Sequence, residues 1–154
     1  MDNYVQKAKQ ILEKIPYITI ASVTPGGLPW NSPVYAVHDN AYRFFWNSST
    51  FSQHSKNIAA NKNIFIVVYD STVSEGEGVG VYIEAEAKEL TEGEELKHAI
   101  ETFYKAKNKE PRDQEDFLGD ATPRRFYQAV PVRISINGFD KNRVPPYYKV
   151  EITL

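Results

Sequence analysis

Residues 42–70 constrain the fold more than any other stretch of the sequence, and they read YRFFWNSSTFSQHSKNIAANKNIFIVVYD. Two apolar runs, 44–46 and 64–69, predict strands, and a short helix is predicted between them from Ser52 to Asn61. Just before this helix lies a turn rich in hydroxyl and amide groups, residues 47–50. Because the first backbone N–H groups of a helix have no partner within it, such a turn is a natural anion site. Our hypothesis is that the turn holds the phosphate group of a cofactor.

Short strands are predicted on both sides of this segment. Their spans are 17–24, 28–37, 41–47, 64–69, 81–90, 126–137 and 147–154, and further helices are predicted over 2–15 and 91–107. Because the strands do not alternate regularly with helices, a parallel Rossmann sheet is disfavoured. The pattern favours a mainly β protein, an antiparallel barrel of six to seven strands with helices on its outside and ends. The length of 154 residues fits a single domain, 1–154.

Several local signals predict where these elements begin and end. Pro29 and Pro33 cannot donate to a strand ladder, so the second strand is expected to be an edge or to bulge near Pro33. Thr91 and Glu94 form a capping-box pattern at the start of the third helix. Thr122-Pro123 predicts one short helical turn, and Gly138 is expected to turn the chain before the last strand.

Composition and charge exclude several classes of function. The net charge is −2 with no basic stripe, so nucleic acid is not expected as a partner. There is no cysteine, and the three histidines, at positions 38, 54 and 98, lack ligand spacing, so no metal site is expected. No apolar run approaches the roughly 20 residues that span a bilayer, and no signal peptide is recognised. We therefore expect a cytoplasmic protein without a membrane partner.

Four segments together resemble the pyridoxamine 5′-phosphate oxidase-like family, the FMN-binding split β-barrels. TIASVTPGGLPWNSPVYAV looks like the family's opening hairpin with its Ser-Pro-Val, and FFWNSSTFSQHSKNIAANKNIFIVVYD looks like its strand, phosphate turn, helix and strand. DSTVSEGEGVGVYIEAEAKEL and RRFYQAVPVRISI look like its fifth strand and a late strand. These segments cover most of residues 15–137, and their order and spacing carry the resemblance, because no single motif is decisive.

The resemblance implies a homodimer in which FMN lies in a groove between two barrels and touches both chains. In that family the second strand runs beside the flavin, the polar turn and helix start hold its phosphate side, and the fifth strand approaches the cofactor. The matching positions here, with neighbours that could contact the ring or the phosphate, are Asn31, Ser32, Pro33, Val34, Trp46, Asn47, Ser48, Ser49, Ser52, Gln53, His54, Ser55, Lys56 and Gly80.

The sequence departs from the family pattern in its charge. Family members often carry Arg or Lys at the positions of Asn31, Ala36, Gln53 and His54, and only His54 can be charged here. An unperturbed histidine has a pKa of about 6.5, which makes its charge partial at neutral pH. A phosphate dianion beside it is expected to raise that pKa, and the long side chain of Lys56 could contribute a second cation.

The function implied is that of an FMN-dependent oxidoreductase acting on a small organic substrate. A flavin carrier or sensor without catalysis remains an alternative, as does use of a deazaflavin. No catalytic residue can be named from the sequence, since in flavin chemistry the cofactor supplies the reactivity and the protein supplies placement. The tail beyond Gly138 does not match the substrate-binding end of true pyridoxamine phosphate oxidases, so that reaction is not predicted.

Each of these signals also has a more common explanation. Capped helices behind polar loops are frequent, and Trp46 suits a core aromatic as well as a ring contact. Glu84 and Glu86 could act as paired carboxylates, although a solvated or interface face is more usual. Arg124-Arg125 could bind a substrate phosphate, although a charge pair at a helix end is more usual. The family resemblance is what favours cofactor binding at the polar turn.

Overall fold

The computed structural model describes residues 2–120 and 122–154, which form seven strands and three α-helices. In chain order these are α1 (Asp2–Lys14), β1 (Tyr17–Val23), β2 (Pro29–His38), β3 (Phe44–Ser49), α2 (Gln53–Ala60), β4 (Asn63–Tyr69), β5 (Gly80–Glu89), α3 (Glu94–Ala106), β6 (Arg124–Phe139) and β7 (Tyr147–Ile152). A 3₁₀ turn spans Gln114–Phe117 between α3 and β6.

All strand pairs are antiparallel, and six of the strands close into a ring. The sheet order is β3-β2-β1-β4-β5-β6-β7, and an additional pairing of β3 with β6 closes the ring. β6 makes this possible because it is long: its first half pairs with β3 and its last half pairs with β7. A mainly β, antiparallel split-barrel architecture is confirmed.

Alternation along the strands divides the apolar residues between two cores. The larger core fills the ring and includes Phe44, Trp46, Ile66 and Ile83, while α1 contributes Ala8 and Leu12 to it. The smaller core lies on the other face of β2, β3 and β6, where α3 packs its Leu96, Ala99, Ile100 and Phe103. β5 alternates as predicted, with Val81, Ile83, Ala85 and Ala87 buried.

The second strand is an edge only over residues 29–35, and it has no bulge at Pro33. β2 pairs with β1 in unbroken register from Tyr17–Tyr35 to Val23–Pro29, and only Ala36–His38 pair with β3 on its other side. An edge position is sufficient for the prolines, since their missing N–H groups leave no ladder partner unpaired. The register shift instead lies between β5 and β6, at Glu84/Ala85.

Three local predictions were wrong. Gly93, not Thr91, is the N-cap of α3, and no side-chain capping bond forms there. Thr122-Pro123 starts no helix, because the Thr122 hydroxyl accepts from the N–H of Arg124 at the start of β6. Gly138 does not turn the chain but lies inside β6 opposite Tyr148. The turn that reverses the chain instead falls between Phe139 and Tyr147.

Candidate functional site

The N-terminus of α2 has no side-chain cap. Ser52 is its N-cap residue, with extended backbone angles, but its hydroxyl makes no capping bond to the helix. That hydroxyl instead donates to the carbonyl of Ser49 at 2.8 Å. The first N–H groups of α2 therefore lack the side-chain acceptor that normally satisfies them. An anion can supply the acceptor that these N–H groups lack.

A cluster of serines encloses His54 at this helix start; we call Ser48, Ser52, His54 and Ser55 the serine cluster. Nε2 of His54 is 2.9 Å from Ser48 Oγ and 3.2 Å from Ser52 Oγ. Ser55 Oγ is 2.8 Å from Ser52 Oγ. Ser52 gives its one proton to Ser49, so its oxygen accepts from both His54 and Ser55. The hydrogen-bond network thus assigns the proton of the imidazole to Nε2.

Burial disfavours the charged form of His54. Only 7% of the residue is exposed, and burial lowers its pKa below the usual value. At neutral pH the imidazole therefore carries less positive charge than an unperturbed histidine would. At this position the chain offers hydroxyl groups and backbone N–H groups in place of a permanent cation.

Buried Asn57 fixes α2 to the first hairpin. Its side chain is fully buried, and Nδ2 donates to Ser22 Oγ of β1 at 2.9 Å. Its Oδ1 accepts from Gln53 Nε2 at 2.8 Å, which holds Gln53 along the helix. Neither Asn57 nor Ser22 stood out in the sequence, since an asparagine and a serine 35 positions apart carry no motif.

The strands β2 and β3 separate where the site residues lie. Their pairing ends at Ala36–Trp46, and beyond it Asn47–Ser49 pair with β6 instead. Residues 31–34 of β2, which pair only with β1, therefore lie along one side of the gap, and residues 47–49 lie along the other. Through its bonds to Ser48 of β3 and to Ser22 of β1, α2 holds β3 next to the first hairpin. The structure thus associates most of the predicted site residues with one gap.

Three predicted site residues lie elsewhere within one chain. Gly80 and Glu89 are the two ends of β5. At a rise of roughly 3.3 Å per residue, Gly80 lies roughly 30 Å from Glu89 and from the start of β6, which adjoins Glu89. Trp46 is fully buried and stacks on Tyr127, with ring centroids 5.7 Å apart. Lys56 is exposed, two residues and therefore about half a helical turn from His54.

Tyr127 and Glu89 extend the polar surroundings of the cluster, and sequence reasoning missed both. Tyr127 is 1% exposed, and its hydroxyl is 3.3 Å from Glu89 Oε2. Burial raises the pKa of Tyr127 to about 12, so the phenol keeps its proton. Two buried nitrogens have no partner among the described residues: Trp46 Nε1 and Asn47 Nδ2. Alternation along a strand predicts burial of such residues but not their polar contacts.

The charged residues considered from sequence have structural partners. Glu84 pairs with Arg133 and Glu86 with Lys62, so neither forms a carboxylate dyad. Arg124 and Arg125 begin β6 rather than end a helix. Within residues 2–120 and 122–154 no cluster of His, Asp and Glu could hold a metal ion. In the same residues no helix is long and apolar enough to cross a membrane.

Comparison with known proteins gives one family and a set of structural neighbours. The sequence pattern of the pyridoxamine 5′-phosphate oxidase family matches residues 4–131. No curated protein sequence matches the chain. A FAD-binding protein from Mesorhizobium loti is 18% identical, with a TM-score of 0.62 over 85% of this chain and 91% of its own. The heme storage protein HutZ from Vibrio cholerae is 18% identical, with a TM-score of 0.65 over 82% and 88%.

A third neighbour is ChuZ from Campylobacter jejuni. It is 15% identical and has a TM-score of 0.74 over 98% of this chain and 60% of its own. At identities this low the neighbours establish a common fold and not a common ligand.

Proposed function

Because this chain belongs to the pyridoxamine 5′-phosphate oxidase family, we propose that it binds FMN and acts as an oxidoreductase on a small organic substrate. One observation carries the proposal. The hydroxyl of the N-cap residue Ser52 makes no capping bond to the backbone of α2, which leaves the first N–H groups of the helix without a side-chain acceptor beside three further polar side chains. A phosphate ester fits this donor set, because each of its oxygens accepts hydrogen bonds.

The residues of the turn have separate roles in this proposal. Ser48 and the first N–H groups of α2 hold the phosphate. On binding, Ser52 redirects its hydroxyl proton from the Ser49 carbonyl to a phosphate oxygen, and His54 redirects its Nε2 proton from the serine oxygens in the same way. Asn57 keeps the helix in place through its bond to Ser22. The bound flavin supplies hydride or electron transfer, and the protein supplies placement and exclusion of water. Without a permanent cation, FMN affinity depends on these neutral donors.

We further propose that the protein is a homodimer whose partner chain completes the groove. The outward face of β1, β4 and β5 carries half-buried apolar residues, namely Ala21, Phe65, Val67 and Tyr82. α3 packs on the opposite part of the ring, against β2, β3 and β6. A cavity of about 440 Å³ lies on the uncovered face and is lined in part by Phe65.

Light scattering tests the dimer. Phe65→Lys is expected to convert a dimer to a monomer, and a wild-type protein that is already a monomer would contradict the proposal.

Heme is the second ligand to test, because one structural neighbour is a heme storage protein. All three histidines here have other contacts. His54 is enclosed by serines, His98 Nε2 is 3.1 Å from Asp39 Oδ2, and His38 stacks on Tyr42 with centroids 4.9 Å apart. Without a histidine oriented for an iron ligand, the site supports a flavin better than a heme.

The absorption spectrum of the purified protein tests the cofactor directly. A flavin spectrum, with FMN identified by mass spectrometry, supports the proposal, while a deazaflavin or an intense heme band would replace it. Anaerobic addition of NADH or NADPH then separates an oxidoreductase from a carrier, because only the enzyme is reduced at a useful rate. If added FMN neither binds nor raises the melting temperature, the flavin proposal fails in both forms.

A further inference from the structure

The strand β7 forms a free edge of the sheet. It lies last in the sheet order and pairs only with β6. Asp140 donates its N–H to the carbonyl of Pro146 at 2.9 Å, and this bond starts the ladder between the two strands. Because bonded pairs recur at every second residue of an antiparallel ladder, Tyr148, Val150 and Ile152 direct their N–H and C=O groups to β6. The same groups of the odd-numbered residues of β7 point to the free edge.

The residues that face this edge include two opposite charges. These edge-facing residues are Tyr147, Lys149 and Glu151, and within the described residues their edge-facing N–H and C=O groups pair with no other backbone. Lys149 Nζ lies over the ring of Tyr82, 2.7 Å from its centroid, and Glu151 is exposed. Among residues 2–120 and 122–154, neither charge has an ion-pair partner within 4.0 Å. A cation and an anion therefore lie unpaired, two positions apart, on one edge.

This pattern makes the edge complementary to itself. Two copies of β7 can bond only where edge-facing residues of one copy meet edge-facing residues of the other. In an antiparallel pair centred on Val150, Lys149 of each copy lies opposite Glu151 of the other. A centre one residue earlier or later would set Lys149 opposite Lys149, or Glu151 opposite Glu151. Because opposite charges stabilise a strand pair and like charges destabilise it, the two charges select one register.

The inner side of the edge has room for a second copy. A cavity of about 480 Å³ lies there between α1 and the end of β7, and Val5 and Ile152 form its apolar lining. In the register centred on Val150, Tyr148 of the second copy lies opposite Ile152 and on the same side of the sheet. An aromatic ring opposite a β-branched side chain stabilises a strand pair, so the inner side favours the same register as the charges.

We propose that two copies of this chain join through their β7 edges as an antiparallel pair centred on Val150. The contact is isologous, because the same residues meet from both sides. One pair of six-residue strands is smaller than the stable interfaces that bury roughly 1,200–2,000 Å². The edge contact is therefore weaker than the contact proposed for the face of β1, β4 and β5, and it joins such dimers to one another at high protein concentration.

Charges on an edge strand also have a protective role in many proteins, where they keep other strands away. Protection requires the charges to repel a second copy, whereas Lys149 and Glu151 attract one in the register centred on Val150. Reversal of one charge distinguishes the two roles. It weakens association if the charges attract, and it does not if they repel.

Sedimentation equilibrium of the full chain over a hundredfold range of concentration tests the contact. The mean mass of the wild type is expected to rise to at least twice its value at the lowest concentration. Lys149→Glu and Glu151→Lys should each weaken this association at least tenfold, because each sets like charges opposite at both ends of the contact. Lys97→Glu and Glu101→Lys make the same charge changes at exposed positions of α3 and should associate as the wild type does. A wild-type mass independent of concentration, or equal losses in the α3 variants, would overturn the proposal.

An equal mixture of Lys149→Glu and Glu151→Lys tests the register itself. In a contact between the two variants a glutamate again lies opposite a lysine at both positions, so the mixture should recover the association that each variant lacks alone. The double variant with both changes should also associate, since exchange of the two charges keeps them complementary. If neither the mixture nor the double variant recovers, the charges do not meet across the edge and the proposal fails.

These outcomes also separate the edge contact from the face contact and from the flavin. Phe65→Lys lowers the mass at the lowest concentration, whereas Lys149→Glu lowers only the rise on concentration. A wild-type monomer that doubles its mass through β7 would leave the edge contact standing and contradict the dimer through the face. Loss of FMN binding would leave the edge contact unaffected.

Discussion

Ser48 Oγ at the end of β3 lies 2.9 Å from Nε2 of His54 in the first turn of α2. This contact joins the end of β3 to the first turn of α2 and holds the imidazole in a buried position, where its pKa is lowered. A histidine whose charged form is disfavoured therefore stands where a phosphate site usually has a cation. We expect both the stability of the fold and the affinity for a phosphate ligand to depend on this histidine.

The first prediction concerns the pH dependence of stability. The pKa of His54 is lowered by burial, so the unfolded chain takes up its proton at a higher pH than the folded chain. The free energy of unfolding should therefore fall as the pH drops below about 6.5, the value of an unperturbed histidine. His54→Gln should flatten this decline between pH 7.5 and 5.5 in urea titrations. Lys56→Gln, at an exposed position, should keep the wild-type dependence of unfolding free energy on pH. An equally steep dependence in His54→Gln would contradict the prediction.

The second prediction concerns the anchor of α2. Asn57→Ala removes the bonds to Ser22 and Gln53 and leaves a buried serine hydroxyl without its partner. Such a loss costs about 1–3 kcal/mol, so urea unfolding should show a decrease of that size. Lys56→Ala on the exposed side of the same helix serves as the control. A change in Asn57→Ala no larger than in the control would mean that the network does not hold the helix.

The sequence predicted the strands and the polar turn because both depend on local patterns. Alternation in 81–90 predicted the buried residues of β5, and the apolar run before Asn47 predicted β3. It did not predict that β6 would pair with β3 and close the ring, because that pairing joins residues far apart in the chain. Pro29 and Pro33 predicted either an edge or a bulge in β2, and only the register of its pairing with β1 showed that there is no bulge.

The place of the polar turn before α2 was predicted from the sequence, whereas its hydrogen bonds were not. Hydroxyl groups before a helix suggested an anion site, and Ser48 and Ser52 do lie at the start of α2. Whether a serine caps its helix or bonds to a nearby carbonyl is decided by packing, as Ser52 shows. The burial that lowers the pKa of His54 and the bond from Asn57 to Ser22 also require the folded chain.

The third prediction concerns Gly138, which the sequence placed in a turn. A Cβ at this position would lie 2.8 Å from the ring of Tyr148 and 2.9 Å from Val150 Cγ2. Gly138→Ala should therefore destabilise the protein by about 1–3 kcal/mol, as overpacking does. Gly78→Ala is the matched control, because its Cβ would meet Val73 at an ordinary 3.8 Å. Thermal unfolding gives the midpoint temperature of each variant. Equal midpoints would mean that β6 and β7 can move apart at Gly138 without loss of stability.

The fourth prediction tests the phosphate assignment through selectivity between FMN and riboflavin, which differ in the phosphate alone. Ser52→Ala with His54→Ala removes two donors at the start of α2, so FMN should bind at least about tenfold more weakly, or about 1.4 kcal/mol. Riboflavin should bind with nearly unchanged affinity, because its ring contacts are retained. Lys62→Ala, an exposed lysine just after α2 that pairs with Glu86, controls for a nonspecific effect of a substitution near this helix. Fluorescence titration measures each dissociation constant. Parallel losses for the two flavins would indicate damage to the ring site, and unchanged FMN affinity would remove the phosphate from this turn.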